Sequence, residues 1–389
     1  MNELGNDFFK ICVRCMTYNQ VSYVTHALDG FAMQETNFPF VCCVVDDGSS
    51  DGEQELIKEY LIDNFSLTDK SIARIEETAD YFLFFAQHKT NRNCYFAVYL
   101  LKYNHYSIKK PKIPYISEWI DSAQYIALCE GDDYWINSNK LQKQIDYMVQ
   151  HQECSMTCTR AKRYLVTQER FLGEQYCRES DGILDPIDVI RRSGYYIATC
   201  SIVYRPFITE NYPDYCHNCF VGDWPLQIMA SMKGNIFYFD ECMCIYRYMS
   251  KNSWSSSQKF GTIDPERLHI VSSQSKMFEG FSNDYPKYKN VFDDMNSYFV
   301  ISNIPKWNTK KADKQLYLEM FSHVLDKLPS KFIPYYLISK MRIPVIKTVF
   351  KLLFYRKYRN RCLYYDSLLK RAFMKCLRLI RIIRSSKRH

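Results

Sequence analysis

Three carboxylates fall within four residues at Glu130-Gly131-Asp132-Asp133, directly after the apolar run 124–129. Clustered carboxylates suit a hard cation, Mg2+ or Mn2+, and Mg2+ is usually held by one or two carboxylates together with substrate phosphates. Such a site matches a diphosphate leaving group, whose growing charge the metal neutralises. The plainer reading is an acidic turn capping the next helix. Two adjacent carboxylates followed by Tyr134-Trp135 exceed what a cap needs. Two further polar clusters close apolar runs: Thr17-Tyr18-Asn19 after 9–16, and Asp46-Asp47 after 40–45. A further acid, Asp223 in Gly222-Asp223-Trp224-Pro225-Leu226, reads either as a helix N-cap or as a general base taking a proton from a hydroxyl. Trp224 beside it is a sugar-stacking face or a core residue. Cys216 and Cys219 have a zinc-knuckle gap, but Cys242 and Cys244 have one residue between them, unlike structural zinc sites. No phosphate-loop or dinucleotide glycine fingerprint occurs, and no Ser/His/Asp or Cys/His nucleophile set.

The elements around these clusters alternate. The run 9–16 predicts a strand, and Val24, Ala27, Leu28 and Phe31 then recur on one helical face. The run 40–45 is continuous rather than alternating, as in strands buried on both faces of a parallel sheet. Ser50 and Glu53 have capping-box spacing ahead of a helix carrying Leu56, Ile57 and Tyr60. A strand over 124–129 and a helix marked by Leu141, Ile145, Met148 and Val149 follow. The region 64–123 predicts a strand near 81–86, a helix near 95–103 and a surface loop over 109–114. Gly234 is expected to cap a helix that begins at Asp223. Strand–helix alternation predicts a doubly wound sheet, whose ligands bind outside the carboxyl ends of the strands. The first three polar clusters all fall at such ends.

The 389 residues suffice for one large α/β domain and an appendage. No basic, apolar secretory leader and no membrane-length apolar run is visible, so the expected location is cytoplasmic. The 16 cysteines lie mostly inside apolar runs, as reduced core residues do. The net charge of +8 hides an asymmetry: residues 331–389 carry 17 Lys and Arg against one acid, Asp366, while the remainder is net acidic.

Taken in order, Thr17-Tyr18-Asn19-Gln20, the stretch Val44 to Asp51, Tyr125 to Trp135, Lys140-Leu141-Gln142-Lys143-Gln144, Gly222 to Leu226 and Tyr246-Arg247 resemble the family 2 glycosyltransferases over roughly residues 9–255. The resemblance implies an α/β fold of GT-A type, a Rossmann-like doubly wound mixed sheet, here with a C-terminal helical extension. It divides the chain into a GT-A domain over 1–258, a helical extension over 259–330 and a basic amphipathic tail over 331–389. It implies a nucleotide-diphospho-sugar donor, usually a uridine one, and Mn2+ or Mg2+ as cofactor. Thr17, Tyr18 and Asn19 would border base and ribose, and Asp46 or Asp47 would bond the uracil or ribose. Glu130 and Arg247 would join the donor site, with Asp132 as direct metal ligand and Asp133 as helper. Asp223 would be the catalytic base of an inverting transfer. Tyr134, Trp135, Trp224 and Trp254 are the expected sugar or acceptor contacts. Many relatives place a metal-coordinating His after Tyr-Arg; here Tyr248-Met249 stands instead.

The expected acceptor is a saccharide or lipid-linked hydroxyl, in surface polysaccharide assembly. A non-catalytic membrane-associated scaffold and a nucleotidyltransferase are the alternatives. In the tail, 345–355 and 369–384 have basic amphipathic spacing suited to the headgroups of an anionic bilayer. They would hold the protein peripherally on the inner face of the cell membrane. No nucleic-acid module is present, and none is expected as partner. Liposome flotation tests the tail: the full chain should float with anionic vesicles, and a chain lacking 331–389 should not. Equal recovery of both in the unbound fraction would refute membrane docking.

Overall fold

The computed structural model describes residues 8–192, 196–250, 265–305, 311–333 and 336. The tail 331–389, apart from 331–333 and 336, lies outside them, as does Trp254. The described residues form two compact units: one from residues up to 184, 196–211 and 229–250, the other from 185–192, 212–228 and those from 265 onward.

The first unit is built on a single 12-stranded mixed sheet. Its strands are β1 (Phe9–Thr17), β2 (Phe40–Asp46), β3 (Arg74–Glu77), β4 (Tyr81–Gln87), β5 (Cys94–Leu101), β6 (Ala123–Leu128), β7 (Tyr134–Trp135), β8 (Cys154–Leu165), β9 (Arg170–Gln175), β10 (Gly182–Ile183), β11 (Val203–Tyr204) and β12 (Asn235–Tyr248). The order is β10-β12-β8-β11-β6-β1-β2-β5-β4-β3. The central run β6-β1-β2-β5 is parallel. The chain therefore winds outward from β1 in both directions, and the switch between β1 and β6 is where such sheets bind ligands.

Helices cover both faces. On one face, α1 (Val24–Ala32), α2 (Glu53–Asn64) and α4 (Lys140–Gln150) bury Val24, Leu28, Phe31, Ile57, Leu141 and Ile145 against alternate residues of the sheet. On the other, α3 (Ile113–Asp121) lays Trp119 against Phe85, ring centroids 4.6 Å apart, and its indole N–H donates to Tyr99 Oη at 2.8 Å.

Four local expectations change. The stretch 95–103 is a strand, not a helix: every residue of β5 is buried, and a continuous apolar run sandwiched by two helical layers has no helical period to display. Ser50 and Glu53 do not form a capping box. The helix starts at Glu53 behind Gly52, whose φ of 94° only glycine adopts freely, and the Glu53 side chain turns inward. Gly234 does follow the helix, yet its φ is not left-handed. A Cβ there would lie 2.7 Å from the Glu153 carbonyl oxygen, so close approach demands the glycine. The loop expected over 109–114 is one only as far as Lys112, since α3 begins at Ile113 with a proline in its first turn.

The second unit is helical: α5 (Pro186–Arg192), α6 (Asp214–His217), the start of α7 (Asp223–Lys233), α8 (Pro265–Asp284), α9 (Lys289–Ser302), α10 (Lys311–Met320) and α11 (Ser322–Leu325). Phe278, Phe281 and Phe292 centre its core, and Trp224 packs edge-on to Phe278. Among the described residues no helix is long and apolar enough to cross a membrane.

Trp119→Ala should cost about 3–5 kcal/mol through the cavity it leaves. Urea unfolding should show a lower midpoint with little change in slope; a loss below about 1 kcal/mol would mean that α3 contributes little to the packing of that face.

Candidate active site

The parallel register places Thr17 opposite Asp46, so the turns after β1 and β2 emerge side by side, with the turn after β6 on the other flank of β1. These are the three acidic or polar turns singled out in the sequence, and all lie in the sheet unit.

Asp46 is fully buried. Its Oδ1 accepts the backbone N–H groups of Gly48 (3.1 Å) and Ser49 (2.9 Å) and the side-chain amide of Gln54. Its Oδ2 is buried without a hydrogen-bond partner among the described residues. Burial raises the Asp46 pKa against the pull of those donors. Asp47 is occupied instead: Oδ1 accepts His105 N–H at 2.8 Å, and Oδ2 accepts Tyr106 N–H at 3.2 Å and the Lys112 ammonium at 2.7 Å. Of the two candidates for the base or ribose, Asp46 retains an open acceptor and Asp47 anchors the 103–112 loop.

The β6 turn is tied tightly to β1. Gly131 N–H donates to Met16 O at 3.0 Å, and Met16 N–H donates to Glu130 Oε2 at 2.9 Å. Glu130 thus braces the end of β1. A Cβ on Gly131 would sit 2.4 Å from Thr17 Oγ1, so only glycine lets this turn close. Asp132 is half-buried, and its Oδ2 accepts the Ser250 hydroxyl at 2.5 Å. Asp133 is almost fully buried and accepts Arg247 N–H at 2.8 Å. The Arg247 guanidinium donates to Asp132 O at 2.8 Å and lies 4.4 Å from the Tyr134 ring centroid. Burial raises the pKa of all three acids, and for Asp133 the neighbouring Asp132 charge adds to it.

Tyr18 is exposed at the rim, while Asn19 takes φ 51° and accepts Ser50 N–H through Oδ1 at 2.9 Å. Thr17 is buried, and its hydroxyl faces inward to Glu53. Trp135 is 1% exposed: its indole N–H donates to Cys200 O at 2.8 Å, and Phe31 and the Lys140 ammonium pack against its ring. It supports the acidic turn from below and has no free face for a sugar. Trp224 is likewise 2% exposed, within the helical unit, whereas Tyr134 remains part-exposed. Asp223 opens α7, and its Oδ1 accepts Trp224 N–H at 2.9 Å.

Sequence reasoning missed Glu53, Gln54, Lys112 and Ser250, because each acts through a contact distant in sequence. It passed over Arg14 inside an apolar strand, where its charge holds down the Glu130 pKa. The zinc pattern gains nothing: among the described residues no three His, Cys, Asp or Glu side chains group as a metal site. Of the fourteen described cysteines all but Cys242 are buried.

No protein-family model matches this chain. Uncharacterised proteins of Mycobacterium tuberculosis and Mycobacterium bovis are 28% identical over 248 residues, which is 62% of this chain; the match spans 60% of their own length. Residues 1–349 of S. aureus TarS, solved with UDP-GlcNAc, superpose with TM-score 0.54 at 14% identity, covering 93% of this chain and 91% of that one. A mannosyltransferase of Pyrobaculum calidifontis, solved with GDP-Man and Mn2+, gives TM-score 0.46 at 12% identity, covering 95% and 87%. The fold is the mixed α/β, GT-A arrangement with a C-terminal helical extension, and it is shared with TarS.

Glu53 offers a pH test. Burial pushes its carboxyl from 4.5 to about 7. The folded state therefore holds this proton more tightly than the unfolded chain. The resulting stability is complete below pH 4.5 and is lost as pH rises through about 7, by at most about 3 kcal/mol. Thermal melts of wild type and Glu53→Gln should diverge in the variant's favour between pH 4.5 and 8. A difference independent of pH would contradict the assignment.

Proposed function

We propose that this chain is an inverting glycosyltransferase, akin to family 2, that moves a sugar from a nucleotide-diphospho-sugar, UDP-linked in the first instance, to a hydroxyl of a saccharide or lipid-linked acceptor. One observation carries the reading. At the carboxyl rim of β1 and β2, Asp46 keeps a buried carboxylate oxygen with no partner among the described residues. An unsatisfied buried acceptor is costly, and a ribose hydroxyl or a base N–H would satisfy it. TarS, which shares the fold, is solved with UDP-GlcNAc, and that supports a nucleotide-sugar donor here.

The acidic turn fits a hard divalent cation of the kind held by few protein ligands. Its donors are carboxylate oxygens, and burial raises their pKa, a cost that a bound cation relieves. Asp132, with Asp133 behind it, would hold Mn2+ or Mg2+, which would neutralise the departing diphosphate. Ser250 orients Asp132 through its hydroxyl. Arg247 fixes the turn through Asp132 O and Asp133. Tyr18 and Asn19 would border base and ribose, and Tyr134 the sugar. Asp223 is the proposed base. It takes the acceptor proton as the acceptor oxygen attacks the anomeric carbon and the bond to the diphosphate breaks. The helix it opens favours the ionised carboxylate. The tail would keep the enzyme on the cytoplasmic membrane face.

Two outcomes are expected. First, UDP or GDP at about 100 times its Kd should add roughly 3 kcal/mol of stability. It should do so only with Mn2+ or Mg2+, and less as pH falls, because burial raises the Asp132 pKa and protons then compete with the cation. No thermal shift with any nucleotide would favour a non-catalytic scaffold. Second, once a donor is found, Asp132→Ala and Asp223→Asn should each lower transfer by at least about 100-fold while melting cooperatively. Near-wild-type rates in both would refute the mechanism.

A further inference from the structure

Glu53 has the spacing of half a helix cap, yet its carboxylate is fully buried beneath the rim. It is held there by donors from two separate turns. The Thr17 hydroxyl donates to Oε1, while Gln20 N–H (2.7 Å) and the Ser49 hydroxyl (2.9 Å) donate to Oε2. Ser49 Oγ in turn accepts Asn19 N–H at 2.8 Å, and Asp51 Oδ2 accepts Val21 N–H at 3.1 Å. Every link except that from Ser49 to Glu53 joins the turn after β1 to the turn after β2. The next residue, Gln54, reaches the other way, from the same helical turn to Asp46 Oδ1 and Leu101 O.

We propose that Glu53 is a positioning residue for the nucleotide: it clasps the 17–20 turn to the 46–53 turn, so that Tyr18, Asn19 and Asp46 are set before a nucleotide arrives. This rests on the donor-site reading above. Three features support it. Glu53 itself is sealed from solvent and cannot touch a ligand, so it acts through the residues it holds. Asn19 occupies the left-handed region, which asparagine enters more readily than most residues, and its N–H and Oδ1 are both held there by the 49–50 segment. Gly131 leaves no space beneath Thr17 and Gln20 for these side chains to relax into. A buried carboxylate is a costly means of joining two loops, and a purely apolar contact there would be cheaper. What the carboxylate adds is direction: three donors converge on two oxygens.

The experiment uses the full chain as wild type, Glu53→Ala, Glu53→Gln and Ser49→Ala. It reads two quantities: amide hydrogen exchange at Asn19, Gln20 and Val21, and calorimetric affinity for UDP and GDP with Mn2+. In Glu53→Ala, exchange at Asn19 and Gln20 should quicken by about tenfold or more, and nucleotide affinity should fall by a similar factor. Glu53→Gln, which keeps an acceptor for Gln20 N–H, should restore most of both. Ser49→Ala should free Asn19 more than Gln20. Exchange unchanged in Glu53→Ala overturns the clasp. Exchange quickened with affinity within twofold of wild type overturns the positioning role. Failure of the wild type to bind either nucleotide overturns the donor reading and the positioning role that rests on it, while the exchange data still decide the clasp. If Glu53→Ala does not fold, Ser49→Ala decides both points through Asn19, whose exchange should quicken as nucleotide affinity falls.

Discussion

Burial of carboxylates at one rim of a parallel sheet is the constraint on which this structure turns. Asp46, Glu53, Glu130, Asp132 and Asp133 all end within or beneath three neighbouring turns, and burial raises the pKa of each. Isolated, such charges would be expelled or protonated. They are retained because the carboxyl ends of β1 and β2 and the turns that follow supply donors at Met16, Gln20, Gly48 and Ser49, and β12 supplies Arg247. The strand order follows the same logic. Only with β6 and β2 flanking β1 in parallel do all three turns open on one edge.

The acids divide into two kinds. Glu53 and Asp47 have both oxygens committed to internal donors, Glu130 and Asp133 each accept one backbone N–H, and all four hold loops. Asp46 and Asp132 each hold one oxygen in place and are the ones suited to an outside partner. Asp46 Oδ1 carries three donors while Oδ2 carries none among the described residues. Asp132 is the least enclosed of the β6-turn pair, with Ser250 on Oδ2. A nucleotide diphosphate with its cation would meet both. That division is drawn from geometry, and the residue types alone do not disclose it.

The sequence made the central strands and the rim legible because period and position are local signals. Continuous apolar runs marked β1, β2 and β6, and polar residues stood where each run stopped. It failed where the deciding partner lay far along the chain. The run at β5 has the composition of a buried segment of either kind, and only its pairing with β2 and β4 makes it a strand. Glu53 had the spacing of a cap, but Thr17 and Gln20, more than thirty residues earlier, turn it inward. Trp135 looked available beside the acids, yet Phe31, Cys200 and Lys140 enclose it. Ser250 could not be read as a partner of Asp132 until the segment after β12 was seen to bring its hydroxyl there.

The most direct test of the donor-site account is a crystal structure of the full chain grown with UDP or a UDP-sugar and Mn2+. The account predicts the base and ribose at Tyr18, Asn19 and Asp46, with Asp46 Oδ2 accepting a hydrogen bond from the nucleotide. It places the metal and diphosphate against Asp132. Nucleotide density elsewhere on the protein, or Asp46 Oδ2 and Asp132 left untouched by a clearly bound nucleotide, would contradict it.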